Sequence, residues 1–238
     1  MKIIGTILLL SALVPTAAHA GEATCISGRH DAFDFSDGPE AAQPSAALLV
    51  TLGQQPASPL RNFDECVKNH TFAHTISGCA LDSGLTSAVL YIRLKGDPSG
   101  ETNNDRLMLG SGGVPRWGLL MNDLQSFQTN GGDIVWSPGD SATFVLDLGN
   151  LPPSQASPSG WPSWPAGRAD LLSFLRAGGD LDIIARDDTC VDAVTLQLNS
   201  TTPARPRSLG RCEGAVPMMD ACSLWSRAVS FAFKECLL

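Results

Sequence analysis

From Thr71 onward, apolar and polar positions alternate in short runs closed by Gly, Pro and Asp. The clearest run is Ser87–Leu94, where Val89, Tyr91 and Arg93 alternate with Leu90, Ile92 and Leu94. A period of two sends those sets to opposite faces of a strand. Thr71–Ile76, Arg106–Leu109, Asp133–Trp136, Ala142–Leu148, Leu181–Ala185 and Val191–Leu198 share this texture, and Phe144, Leu146 and Leu148 fall on one face. Turn chemistry separates the runs at Gly96-Asp-Pro-Ser-Gly100, Leu109-Gly-Ser-Gly-Gly113, Ser137-Pro-Gly-Asp140 and Arg186-Asp-Asp-Thr189. One stretch has helical spacing instead: Arg168–Ala177 carries Leu171, Leu172 and Leu175, and Gly178-Gly179 supplies a left-handed stop. Ser45–Leu52 suits either a strand or a short helix. Many short strands at this spacing predict an all-β fold: an antiparallel, jelly-roll-like β-sandwich with one short internal helix.

The two ends read differently. Lys2, an apolar run over Ile3–Val14 and the small residues of Ala18-His19-Ala20 spell a secretory signal peptide over 1–20. The sandwich is expected over 21–200. Thr201–Arg211, rich in Pro and Arg, reads as a linker, and residues 201–238 as a linker plus a disulfide-tied, cysteine-bearing C-terminal appendage. Met218–Cys236 fits a helix through Cys222, Trp225, Val229 and Cys236, or a strand through Val229, Phe231 and Phe233.

Composition narrows the classes. With 43% hydrophobic and 17% charged residues the chain is not of disordered type. Net charge is −8, and loss of Lys2 with the signal makes it one unit more negative. Such a surface repels phosphate backbones, which argues against nucleic acid as a partner. No apolar stretch after Gly21 is long enough for a membrane span. An exported location, periplasmic or extracellular, favours disulfides among Cys25, Cys66, Cys79, Cys190, Cys212, Cys222 and Cys236. Seven is odd, so one cysteine is left free or links two copies into a disulfide-bonded dimer. Cys66 with Cys79 is the expected pair, across a short loop between two strands.

Two clusters carry candidate chemistry. Asn104, Asp105, Asp187 and Asp188 offer the hard oxygens that calcium takes in sandwich loops, although Asp in such loops more often caps turns. Trp161 and Trp164 lie in a Pro-rich loop, where an exposed indole stacks on a sugar ring or a peptide. The more frequent arrangement folds both rings back over the sandwich edge. Trp117 and Trp136, beside strands, are expected in the core. His70 and His74 share a strand face, with no acid between them to act as a metalloprotease base. No Gly-x-Ser-x-Gly elbow or phosphate loop occurs.

Asn69-His-Thr-Phe-Ala-His-Thr75, Ala88-Val-Leu-Tyr-Ile-Arg-Leu-Lys95, Asn104-Asp105, Phe144-Val-Leu-Asp-Leu-Gly-Asn-Leu-Pro152 and Leu181-Asp-Ile-Ile-Ala-Arg-Asp-Asp-Thr-Cys-Val-Asp192 stand within residues 69–198. This region resembles an uncharacterised β-sandwich-like module of exported bacterial proteins. The resemblance implies a secreted module and no established reaction; Cys190 and the cysteine-bearing tail depart from it. The expectation is a secreted, non-enzymatic binding module for a glycan or a surface protein, with calcium as a stabilising ion. A structural or interaction protein of the envelope or matrix is the alternative, and a secreted hydrolase the third.

Overall fold

The computed structural model describes residues 21–34, 36, 38, 40–53, 59–79, 84–128, 136–157 and 163–201. The chain divides into two units, Met1–Ala204 and Arg205–Leu238, and every described residue belongs to the first. The expected signal peptide, most of the strand expected at Asp133–Trp136 and the C-terminal appendage beyond Thr201 lie outside the described residues.

The alternating runs form strands. In chain order the strands are β1 (Gly21–Gly28), β2 (Leu60–Arg61), β3 (His70–Ile76), β4 (Leu85–Gly96), β5 (Arg106–Ser111), β6 (Val114–Leu120), β7 (Ser141–Asp147), β8 (Leu181–Asp187) and β9 (Thr189–Ser200). Among the described residues three short α-helices join them, α1 (Ala46–Gly53), α2 (Met121–Gln128) and α3 (Leu172–Arg176), with one 3-10 turn at Thr102–Asn104. The ambiguous Ser45–Leu52 segment is helical, and the Ser45 hydroxyl accepts the Leu48 N–H at 3.1 Å, as an N-cap does. α3 is the expected helix, shortened to one turn and a half. It ends in Gly178 N–H to Leu175 O and Gly179 N–H to Phe174 O, the paired bonds of a Schellman stop.

Two sheets pack face to face, with orders β1-β9-β4-β7 and β2-β3-β8-β5-β6. All pairings are antiparallel except the two-residue β2–β3 contact, which is parallel. Leaving β2 aside, successive strands change sheet at every connection but the β5–β6 hairpin, the jelly-roll arrangement. That hairpin turns on Gly112 and Gly113, both at positive φ (61° and 78°), the backbone a two-residue turn of the strand-twisting hand demands. β6 carries Pro115 and forms a sheet edge, where a missing N–H costs no ladder bond. That proline hides β6 from pattern reading.

Between the sheets lie Leu90, Ile92 and Leu94 of β4, Phe144 and Leu146 of β7, Leu196 and Leu198 of β9, and Ile183 and Ala185 of β8. Trp117 and Trp136 join them, fully buried as expected. The five-stranded sheet is covered on its outer face too: Ala73, Met108 and Ile184 pack beneath Leu48 of α1 and Trp164. Burial on both faces explains why β8 reads as a nearly continuous apolar run.

Cysteine pairing corrects the sequence expectation. Cys66 bonds Cys190 and Cys79 bonds Cys25. What separates Cys66 from Cys79 is the seven-residue strand β3, which spans roughly 20 Å, beyond a disulfide's reach. Both bridges instead tie a strand of one sheet, β1 or β9, to a segment flanking β3 of the other. Peptide mapping under non-reducing conditions is expected to recover these two links. Replacing Cys66 and Cys190 together by Ser opens a 124-residue separation, and urea melts are expected to show a loss of about 4 kcal/mol.

Candidate functional site

The expected calcium residues meet at the corner where β8 passes to β9. Asp188 alone separates the two strands, after Asp187 at φ 81°, so one residue carries the chain from one sheet to the other. The Asp188 carboxylate accepts the Asn69 N–H at 2.9 Å and the Glu101 N–H at 2.7 Å. Gly100 lies against it so closely that a β-carbon there would stand 2.5 Å from Asp188 Cβ. Asp105, fully buried, accepts the Asp188 N–H at 2.9 Å and the Thr189 hydroxyl at 2.5 Å. The Asn104 amide donates to Asp187.

Arg61, at 1% exposure, enters this corner from β2. It donates to the carbonyls of Val67 and Asp187, each at 3.2 Å, and of Thr189. Burial lowers its pKa to about 10, opposed by Asp105, Asp188, Asp187 and Asp97. Burial also raises Asp105 to about 6, against the hydrogen bonds from Thr189 and Asp188. A buried guanidinium thus stands among these carboxylates. The carboxylates cap backbone, the alternative expectation for them. Nothing in the sequence singles out Arg61; only the three-dimensional corner does.

The indole expectation is corrected at Trp164. Its ring is 3% exposed, packs on the outer face of the five-stranded sheet over Gly118, and donates its N–H to Gln155 O at 2.7 Å. An indole so enclosed offers no face to a sugar. Burying a large ring over an otherwise exposed apolar patch gains more than leaving it in water. Trp161 lies outside the described residues.

A cleft that pattern reading missed opens on the other flank of the sandwich. It holds about 570 Å³ and is lined by Ile26, Ser27 and Gly28 of β1, by Glu40, Ala41 and Gln43, by Phe63 and by His74. Its polar heart is His74, buried on β3 against the Phe63 and Phe72 rings. The Gln43 backbone N–H donates to Nδ1 at 3.0 Å, so the ring proton resides on Nε2 and donates to Ser27 Oγ at 2.9 Å. Burial lowers the His74 pKa to about 4. A serine nucleophile needs the opposite polarity, with Nε2 bare and ready to take the hydroxyl proton. The Ser27–His74 pair is a donor fixed in place, not a base.

Beside the cleft stands a second acidic group: Asp31, Asp64 and Asp192. Burial, then the charges of Asp31 and Asp192, push the Asp64 carboxyl well above its ordinary range. Only the fold assembles these three, from the loop after β1, the turn after β2 and β9 near its start.

Fold and bridges together define a disulfide-stapled, jelly-roll-type β-sandwich. No protein-family model and no curated protein matches the chain.

Truncation of Arg61 to Ala leaves the corner carboxylates buried without their cation, and is expected to cost about 3–5 kcal/mol in chemical denaturation. His74 gives a pH signature. Its folded pKa lies below its unfolded value of about 6.5, so the folded state binds fewer protons between these values. Its stabilising contribution is complete above pH 6.5 and is lost as pH falls toward 4. Asp105, raised, acts in the opposite sense, so the comparison with His74→Gln isolates the histidine. Between pH 7 and 4.5 the variant is expected to lose about 2–3 kcal/mol less than the parent.

Proposed function

We propose that the chain is an exported, non-enzymatic binding module that takes a glycan or another polar surface ligand in the cleft between β1 and β3. The observation that carries this reading is the cleft's chemistry. Ser27, Glu40 and Gln43 offer donors and acceptors side by side at its wall, and His74 is held as a neutral donor behind them. Sugar hydroxyls donate and accept at once and suit such a mixed wall. The same tautomer argues against the hydrolase alternative. Two disulfides support an oxidising compartment, as do the signal-like residues 1–20 and the resemblance to exported modules. Among the described residues no helix is long and apolar enough to cross a membrane.

Glycan-array binding followed by titration of the strongest ligand tests the proposal. Glu40→Ala with Gln43→Ala is expected to weaken binding at least about tenfold, roughly the loss of 1.4 kcal/mol, while the unfolding midpoint stays close to the parent's. Turnover of ester or glycoside substrates that disappears in Ser27→Ala would instead make this an enzyme.

The interaction-protein alternative has its own support. Four of the seven cysteines pair within the described sandwich, leaving Cys212, Cys222 and Cys236. Three thiols do not close on themselves, and a dimer band on non-reducing gels that vanishes with reductant is the expected sign of a link between copies.

A further inference from the structure

We propose that Asp31, Asp64 and Asp192 bind a hard divalent cation, with calcium as the ion to test, at a site separate from the Arg61 corner and independent of what the cleft binds. One carboxylate oxygen from each residue lies within 4.8 Å of the others. The placement is built in: the Asp64 N–H donates to Val191 O at 2.8 Å, which brings Asp64 alongside β9 next to Asp192.

The pointer to a ligand is what these oxygens lack. Asp64 is 6% exposed and Asp192 fully buried, yet Asp64 Oδ1 accepts no hydrogen bond, and Asp192 Oδ2 has only the Arg93 guanidinium at 3.4 Å. The contrast with the other buried carboxylates is sharp. Asp105 has donors on both oxygens, from Asp188 and Thr189, and Asp182 has them from Thr75 and Gly113. Leaving a buried acceptor bare costs free energy, and a cation bound to Asp64 Oδ1 removes that cost. The trio also holds Phe33 N–H to Asp192 Oδ1 at 2.9 Å, Asp34 N–H to Asp31 Oδ1 at 3.1 Å, and a side-chain hydrogen bond between Asp64 and Asp192.

Charge sets the valence. Arg93 pairs with the trio, with Nε 3.4 Å from Asp192 Oδ2. The neighbouring Glu40 is matched by Arg29 at 2.6 Å. When a cation binds and all three carboxyls ionise, their charge exceeds that of Arg93 by two, which a divalent ion balances. The three oxygens lie within 4.8 Å of one another, close enough for one cation to touch all of them, and an all-carboxylate set favours a hard ion over soft metals. Water and backbone carbonyls would complete the coordination.

The test uses the full chain stripped with EDTA, titrated calorimetrically with calcium chloride and melted with and without the ion. Calcium is expected to bind with measurable heat and to raise Tm by roughly 5–10 °C at a hundredfold excess over Kd. In EDTA, Asp64→Asn is expected to melt no lower than the parent, since it removes a buried acid crowded by two others, and to lose the calcium shift. Asp31→Asn, at a half-buried loop position, is expected to reduce calcium affinity at least about tenfold and serves should Asp64→Asn fail to fold. Absence of heat and shift in the parent overturns the proposal. So does a shift of parental size in the folded variants, which would place the ion elsewhere.

Discussion

One residue, Asp188, carries the backbone from the five-stranded sheet to the four-stranded one, and what holds that step is a buried charge network. Arg61 ties together the carbonyls on either side of the step, Asp187 and Thr189, while Asp105 holds the amide of Asp188 between them. The disulfide from Cys66 to Cys190 closes over the same place. β8 and β9 are interior strands of their sheets, so the register of both layers passes through this corner. The low-dielectric surroundings make each of these contacts costly to break and costly to leave half made.

The sandwich handles its margins by different devices. At β7 the side-chain amide of Gln128 imitates a neighbouring strand, donating to Val145 O at 2.8 Å and accepting its N–H at 3.2 Å. This occupies the backbone groups that an edge strand otherwise presents. On the five-stranded sheet, α1 and Trp164 cover the outer face. The flank where β1 meets β3 is left more open, and there the cleft forms. Fold and function meet at that margin: β1 supplies Ser27 to the cleft and Cys25 to a bridge, so the wall of the proposed ligand site is anchored covalently to the opposite layer.

The acidic clusters show how one composition serves two ends. At the corner, every Asp105 and Asp188 oxygen has a backbone or hydroxyl donor, and Arg61 offsets the charge. Beside the cleft, two buried oxygens have none. Both clusters draw on the same acidic residue type, yet they differ in how far their oxygens are supplied with donors. Hydrogen-bond satisfaction distinguishes them, and that is a property of neighbours distant in the chain.

Sequence by itself determined the fold class and most strands, because a period of two on a half-buried surface is a local constraint that any pairing must respect. Ser87–Leu94, Ala142–Leu148 and Val191–Leu198 fell into place for that reason, as did the helix stop at Gly178. It also placed Trp117 and Trp136 inside. It was silent on β1, whose Gly-Glu-Ala-Thr run has little apolar signal, and on β6, masked by Pro115. Disulfide partners, the fate of Trp164, the role of Arg61 and the grouping of Asp31, Asp64 and Asp192 were decided by tertiary structure. Each depends on which surfaces the crossing strands bring together over separations such as the 124 residues between Cys66 and Cys190, and no local pattern encodes a contact of that range.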